Sequence, residues 1–232
     1  MSTVTNIRSH LSVSTRQRAG GLRNPVVAAE LRPVPPRDAA QAKTVLFESL
    51  GRNLTMQWCF AAGDHGFEKR LRAYVEVGHH WHAAQGNPIH GAYVGDELAG
   101  VAYLSLPEPE VAIDFEPFEL DLLRACGEES MRRFGHYNRA VAATWPVGRL
   151  FSLALLGVRP AVQGRGVGTR LLHWVSGVCD DDPGSAGVIT DTSGEAEVLF
   201  YAEREYRAIA QAAVNPSLVQ TILFRPRRDR PS

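Results

Sequence analysis

The chain has 232 residues, and its 25 Lys and Arg are balanced by 25 Asp and Glu, giving a formal net charge of zero. A neutral chain offers no electrostatic reason to bind nucleic acid or an anionic membrane, and neither partner is expected. Hydrophobic residues make up 44%, enough for one domain with an ordinary core, and no apolar run approaches the length of a membrane span. Cys59, Cys126 and Cys179 lack metal-ligand spacing, and their odd number argues for a reducing, cytoplasmic compartment rather than a disulfide framework.

Residues 1–25 are rich in Ser, Thr and Arg without an acidic residue, the composition of a disordered tail or of residues upstream of the real start. A mitochondrial transit peptide has the same composition, and that alternative stays open. Val26 to Val34 reads as a first strand closed by prolines. Asp38 stands at an N-cap position before Ala42, Val45, Leu46 and Leu50, which follow at helical spacing until Gly51 and Asn53. Leu54 to Gly66 reads as a loop with an apolar set, Met56, Trp58, Cys59 and Phe60. Phe67 to Ala84 is a second helix with Leu71, Tyr74, Val75 and Gly78 inward.

Ile89–Val94 and Leu98–Leu106 form a hairpin about Gly95-Asp96-Glu97. Pro107 to Pro146 is helical in pattern, one or two helices. Leu150 to Val158 is a nearly continuous apolar run, as expected of a strand buried on both faces. Ala186–Thr190 is a short strand. Thr192 or Ser193 caps a helix to about Glu205, and Tyr206–Ala213 and Ser217–Phe224 close the domain about Asn215-Pro216. The order places a helical insert between strands three and four. It divides the chain into residues 1–25, a domain over 26–225, and a C-terminal tail, 226–232.

After the apolar strand, Pro160 ends any ladder and Gln163-Gly164-Arg165-Gly166-Val167-Gly168 leads into a helix with Leu171, Leu172, Val175 and Val178 on one face. A glycine-rich turn feeding a helix leaves unpaired N–H groups at the positive end of the helix dipole, a site for phosphate. The Walker pattern is absent, and the dinucleotide fingerprint fails at Thr169, where its third glycine belongs.

The pattern V-x-P-x-x-Q-G-R-G-V-G from Val158 to Gly168 resembles the pyrophosphate-binding motif of the GCN5-related N-acetyltransferases, the GNAT superfamily. The element order over roughly Glu30 to Arg225 is similar to theirs. Leu153–Gly168 and D-T-S-x6-F-Y from Asp191 to Tyr201 look closest to the puromycin N-acetyltransferase-like branch. The resemblance implies an α/β (α+β) domain, with a mixed central β-sheet flanked by helices. It implies acetyl-CoA as co-substrate, transfer of its acetyl group to the amine of a small molecule, and no metal. It assigns the diphosphate to Gln163, Gly164, Arg165, Gly166, Val167, Gly168 and Thr169, where a Cβ on a glycine would keep it from the amides. Leu156, Gly157 and Val158 would pair with the pantetheine arm.

The resemblance also makes Tyr201 the candidate general acid, although it reads equally as a core aromatic beside Leu199 and Phe200. Asp191 is a candidate proton relay or a helix N-cap. The family's usual Asn four residues before this Tyr is Glu197 here, and its following Gly is replaced, giving Glu205-Tyr206. Arg165 and Arg170 either add charge or are solvated helix-end residues. Of His79, His80 and His82, only the first and last share a helical face, and no Cys or Asp completes a metal site. Acceptor contacts are expected from Met56–Phe60 and the insert around Asp114–Phe118, favouring an apolar or aromatic amine. The alternatives are a protein or peptide N-acetyltransferase and a non-catalytic acyl-CoA-binding module. A monomer or homodimer is expected.

Overall fold

The computed structural model describes residues 25–107 and 115–229. The predicted N-terminal tail therefore lies outside the described residues except for Pro25, as does Asp114. Strands β1 (Glu30–Pro33), β2 (Ile89–Val94), β3 (Glu97–Ser105), β4 (Leu150–Val158), β5 (Gly187–Thr192), β6 (Arg207–Asn215) and β7 (Leu218–Pro226) build one sheet. Its order is β1-β2-β3-β4-β5-β7-β6. β4 and β5 run parallel, and the other neighbours pair antiparallel. This is the mixed sheet expected.

Helices cover both faces. On one lie α1 (Ala39–Leu50), α2 (Leu54–Cys59), α3 (Phe67–Ala84) and the insert, which is two helices, α4 (Glu116–Cys126) and α5 (Glu128–Ala142). Their inward residues, among them Val45, Leu46, Leu71, Tyr74 and Phe134, pack on Val101 and Tyr103. Further along the same face, Val141 of α5 packs with Ile189, Ala212 and Ile222. The opposite face carries α6 (Val167–Asp180) and α7 (Glu195–Ala202) over Leu104, Phe151, Leu153, Val188 and Leu223. Each fully buried aliphatic side chain contributes roughly 1.5–3 kcal/mol, whereas a helix cap contributes about 1. The five buried residues of α6, Val167, Leu171, Leu172, Val175 and Cys179, therefore hold it in place. Its N-terminus is free to remain uncapped.

The sequence reading differs from the structure in several places. The helix expected to start at a Thr192, Ser193 or Asp191 cap begins at Glu195, after Gly194 and without a side-chain cap, because β5 continues through Asp191 to Thr192. Leu54–Cys59 is a helix rather than a loop, because Asn53 accepts the Met56 N–H at 3.0 Å and caps it. The first strand is shorter, since Pro25–Ala29 runs beside the α6 turn instead of pairing in the sheet; Val27 N–H donates to the Arg165 carbonyl at 3.1 Å. The last strand continues to Pro226, and the next residues are held rather than frayed. Arg227 N–H donates to the Ala186 carbonyl at 3.1 Å, and Arg228 N–H to Asp180 at 2.9 Å.

Candidate active site

The site begins with an irregularity in β4. Between Tyr103↔Leu155 and Leu104↔Leu153 the register shifts, so Ala154 is an extra residue, a β-bulge. The bulge reverses the side-chain parity of the strand. Before it, Phe151 and Leu153 face α6; after it, Leu155 turns to the α1–α3 face while Leu156 and Val158 face α6. It also bends β4 away from β5. Their pairing is confined to Leu150↔Gly187, Phe151↔Val188 and Ser152↔Ile189. Thr190 reaches across the opening fork to donate to the Leu153 carbonyl at 3.0 Å.

Beyond that point one edge of β4 is free. Arg159 N–H donates to the Ala99 carbonyl of β3 at 2.9 Å, so Arg159 faces β3 and Val158 faces the fork. By alternation Leu156 presents its N–H and C=O to the fork too, with no strand to pair them. The Val158 carbonyl is taken by Gln163 Nε2 at 3.0 Å. Gln163 thus ties the glycine turn to the strand end.

The turn itself needs glycine for conformation. Gly164 and Gly166 have φ of +72° and +87°, a region costly for other L-residues. α6 opens at Gly166 with no side-chain cap and no acidic residue in its first turn. Its first N–H groups are open to an anion. The reason expected for Gly166 needs correcting. A Cβ there would stand 3.3 Å from Val26 Cγ1, against the segment leading to β1, rather than over the anion site. At Gly168 a Cβ would meet Phe200 Cζ at 3.1 Å and Val158 Cγ2 at 3.6 Å.

A cavity of ≈ 650 Å³ follows the fork. Of the predicted cofactor residues, Leu156, Val158, Gln163, Gly164 and Gly168 line it, and Gly157, Arg165, Gly166, Val167 and Thr169 do not. Gly157 lies under α1, where a Cβ would come within 2.6 Å of Ser49 Oγ. Val167 is a buried core residue. Arg165 Nε donates to the Pro25 carbonyl at 3.2 Å, so its side chain turns away from the cavity, and Arg170 is exposed. The Thr169 hydroxyl accepts from Arg204 Nη2 at 2.7 Å, with the guanidinium 3.9 Å over the Phe200 ring.

Tyr201 and Asp191 both line the cavity, and they reach it from opposite faces of the sheet. Tyr201 rises from α7 with its ring packed on Phe200 and Tyr206 at 5.4 and 5.2 Å. Burial raises its pKa above the ordinary phenol value, so it is a neutral hydrogen-bond donor at any working pH. Asp191 lies on the α5 face, where its Oδ2 accepts from Tyr137 Oη at 2.9 Å and Oδ1 is left for the cavity. Desolvation raises its pKa to about 6 against the lowering effect of the Tyr137 hydrogen bond.

Around Asp191 the cavity is closed by Thr55, Met56, Tyr74, Tyr137 and Gln220. Here the expected acceptor residues are redistributed. Met56 lines the cavity, but Cys59 and Phe60 are fully buried core. The insert contributes Tyr137 instead of its first turn, where Phe118 lies tilted against Trp81 with ring centres 5.6 Å apart. The two motif departures are accommodated. The Glu197 carboxylate folds back against Gly194, at the favourable end of α7. Glu205 adopts φ +70°, the conformation for which the missing glycine is suited. The histidines have their own partners: His79 Nδ1 with Tyr103 Oη at 2.7 Å, and His90 stacked 3.9 Å from Trp174. Among the described residues no group of three or more His, Cys, Asp or Glu is arranged for a metal, and no helix is long and apolar enough to cross a membrane.

The overall fold is shared with solved structures. The fold is that of the GCN5-related N-acetyltransferases. A histone acetyltransferase HPA2 and related acetyltransferase from Corynebacterium glutamicum superposes with a TM-score of 0.67 at 16% identity, over 89% of this chain and 100% of that one. A GCN5-related N-acetyltransferase from Rhodopseudomonas palustris gives 0.52 at 17% identity, over 90% and 99%. The PaiA N-acetyltransferase from Thermoplasma acidophilum, in complex with coenzyme A, gives 0.54 at 12% identity, over 86% and 99%. No family model matches the chain, and no curated protein matches it. The GNAT fold therefore rests on geometry, not on overall sequence likeness.

Proposed function

We propose that the chain is an acetyl-CoA-dependent N-acetyltransferase acting on a small amine. One observation carries this reading: a single cavity joins the uncapped α6 turn to Tyr201 on one face and Asp191 on the other, through the fork opened at Ala154. The residues present fit CoA. The turn offers N–H groups to a diphosphate, and the free edge of β4 offers the Leu156 C=O and the Val158 N–H to an amide-bearing arm. When bound, acetyl-CoA supplies an acetyl group activated as a thioester.

The chain's own groups then have separable tasks. The Leu156 N–H polarises a carbonyl oxygen lying in the fork. Tyr201 Oη, at the cavity wall, would hold a proton for the departing thiolate. Asp191 draws in the cationic acceptor and takes its proton at Oδ1. In water an alkylamine and an aspartate carboxyl differ by roughly 6.5 pKa units, but Tyr74, Met56 and Leu155 surround the pair with apolar groups. Desolvation lowers the amine and raises the acid, narrowing the gap.

Tyr137 of α5 walls the acceptor end, which supports a small molecule over a peptide. The stretches Leu153–Gly168 and Asp191–Tyr201 support a place beside the puromycin-type branch. The test is calorimetry with CoA, followed by thiol release from acetyl-CoA with a panel of small amines. Binding without amine-dependent release would leave an acyl-CoA-binding module; no binding would sink the reading entirely.

A further inference from the structure

Gln220 is fully buried and lines the acceptor end of the cavity. On β7 it alternates with Leu218 and Ile222, both buried, so a polar amide occupies a position where the pattern calls for an apolar residue. Its Nε2 donates to Thr55 Oγ1 at 2.6 Å, and that hydroxyl lies 3.3 Å from Ser193 Oγ. Its Oε1 has no partner among the described residues. Exchanging O and N within the amide would only move the deficit to the nitrogen. One end is orphaned in either orientation. A buried polar atom left unpaired costs on the order of 1–3 kcal/mol, which a leucine or methionine at this place would not incur.

The register fixes where this group stands relative to Asp191. Asp191 pairs with Ile222, so Gln220 is its diagonal neighbour on the same face. Such neighbours are rooted about 7–8 Å apart. A ligand that engages Asp191 with one polar atom can therefore reach Gln220 with a second one nearby. We propose that the acceptor is a bifunctional amine, whose second group, an N–H or O–H within a few carbons of the reacting nitrogen, is read by Gln220 Oε1. This rests on the acetyl-transfer reading above.

The probes are 3-aminopropan-1-ol and 3-methoxypropylamine, which match in spacing but differ in that only the alcohol donates. With acetyl-CoA and the full chain, KM for the alcohol is expected to be at least about tenfold below that for the ether. Gln220→Met keeps the length and removes the acceptor, and should raise KM for the alcohol to that of the ether. Gln220→Glu keeps an acceptor and should retain the preference, which guards against a packing effect. Equal KM values in the unaltered chain, or a parallel change for both amines in Gln220→Met, overturn the inference while leaving acetyl transfer standing. If neither amine nor CoA is engaged at all, the acetyl-transfer reading fails and the inference falls with it.

Discussion

The two sides of the fork are built differently. The donor side is one contiguous stretch, Leu153 to Gly168, and it works through backbone: a free strand edge, two left-handed glycines and an uncapped helix start. The acceptor side is made of side chains from α2, α3, α5, β5 and β7, namely Thr55, Tyr74, Tyr137, Asp191 and Gln220. A site made of backbone needs a few residue types at fixed spacing and little else. One made of side chains needs the whole domain to assemble it. The two sides should therefore fail differently when altered.

Damage confined to the donor side should have the largest effect. Gly168→Val puts branches toward Phe200 and Val158 at the cavity wall, and is expected to weaken CoA binding by about 100-fold or more. Calorimetry measures it, and a circular-dichroism melt checks that the domain is folded. Unchanged affinity would remove the turn from the site.

Tyr201→Phe acts where the two sides meet. It keeps the ring packed on Phe200 and Tyr206 and removes only the hydroxyl. A fall in kcat of roughly 10²-fold, with CoA affinity and melting temperature little changed, is expected of a general acid. Joint loss of stability and rate would make it a core aromatic instead.

How much of this was legible follows the same division. The turn could be read because Gln163, Gly164, Gly166 and Gly168 lie together and each has a local task. The strands, the helices and the inserted segment followed from hydrophobic period. The bulge at Ala154 could not be read, since Leu150 to Val158 is apolar but for Ser152 and parity reversal leaves no gap around Ala154. Tyr137 is one of many residues on an amphipathic helix, and only tertiary packing brings it to Asp191. Gln220 did leave a trace, an amide between Leu218 and Ile222 in an inward register. Asn53 misled because a residue that stops one helix can cap the next.

The acceptor side can be sharpened with Tyr137→Phe. The hydrogen bond from Tyr137 lowers the Asp191 pKa from where burial alone would put it, and the net value is about 6. A base works when deprotonated, so activity should rise with pH through about 6 in the unaltered chain. Without the phenol the carboxylate loses that support and its pKa moves up, shifting the acid limb of kcat/KM by about one pH unit to higher pH. At pH 8 the rates of variant and parent should converge. A uniform loss across the profile would mean that Tyr137 only packs.

The smallest effect separates conformation from chemistry at the end of α7. Glu205 holds φ +70° so that Tyr206 N–H can donate back to the Tyr201 carbonyl at 3.2 Å, and Tyr206 is buried against Tyr201. The packing of these two rings enforces a backbone that a non-glycine residue adopts at a cost of about 1 kcal/mol. Glu205 also pairs with Arg228 at 2.8 Å, an exposed pair of a kind that contributes roughly 0–1 kcal/mol, and lies 3.9 Å from the buried Arg225, which Asp180 already holds at 2.7 Å. Glu205→Gly relieves the strain and gives up the pair. A rise of up to about 3 °C in melting temperature is expected at high salt, where the ion pair is screened, and less at low salt. Because Tyr201 stays where it is, kcat should not move. A lower melting temperature at high salt would show that the left-handed residue is not strained, and the missing glycine would then need another explanation.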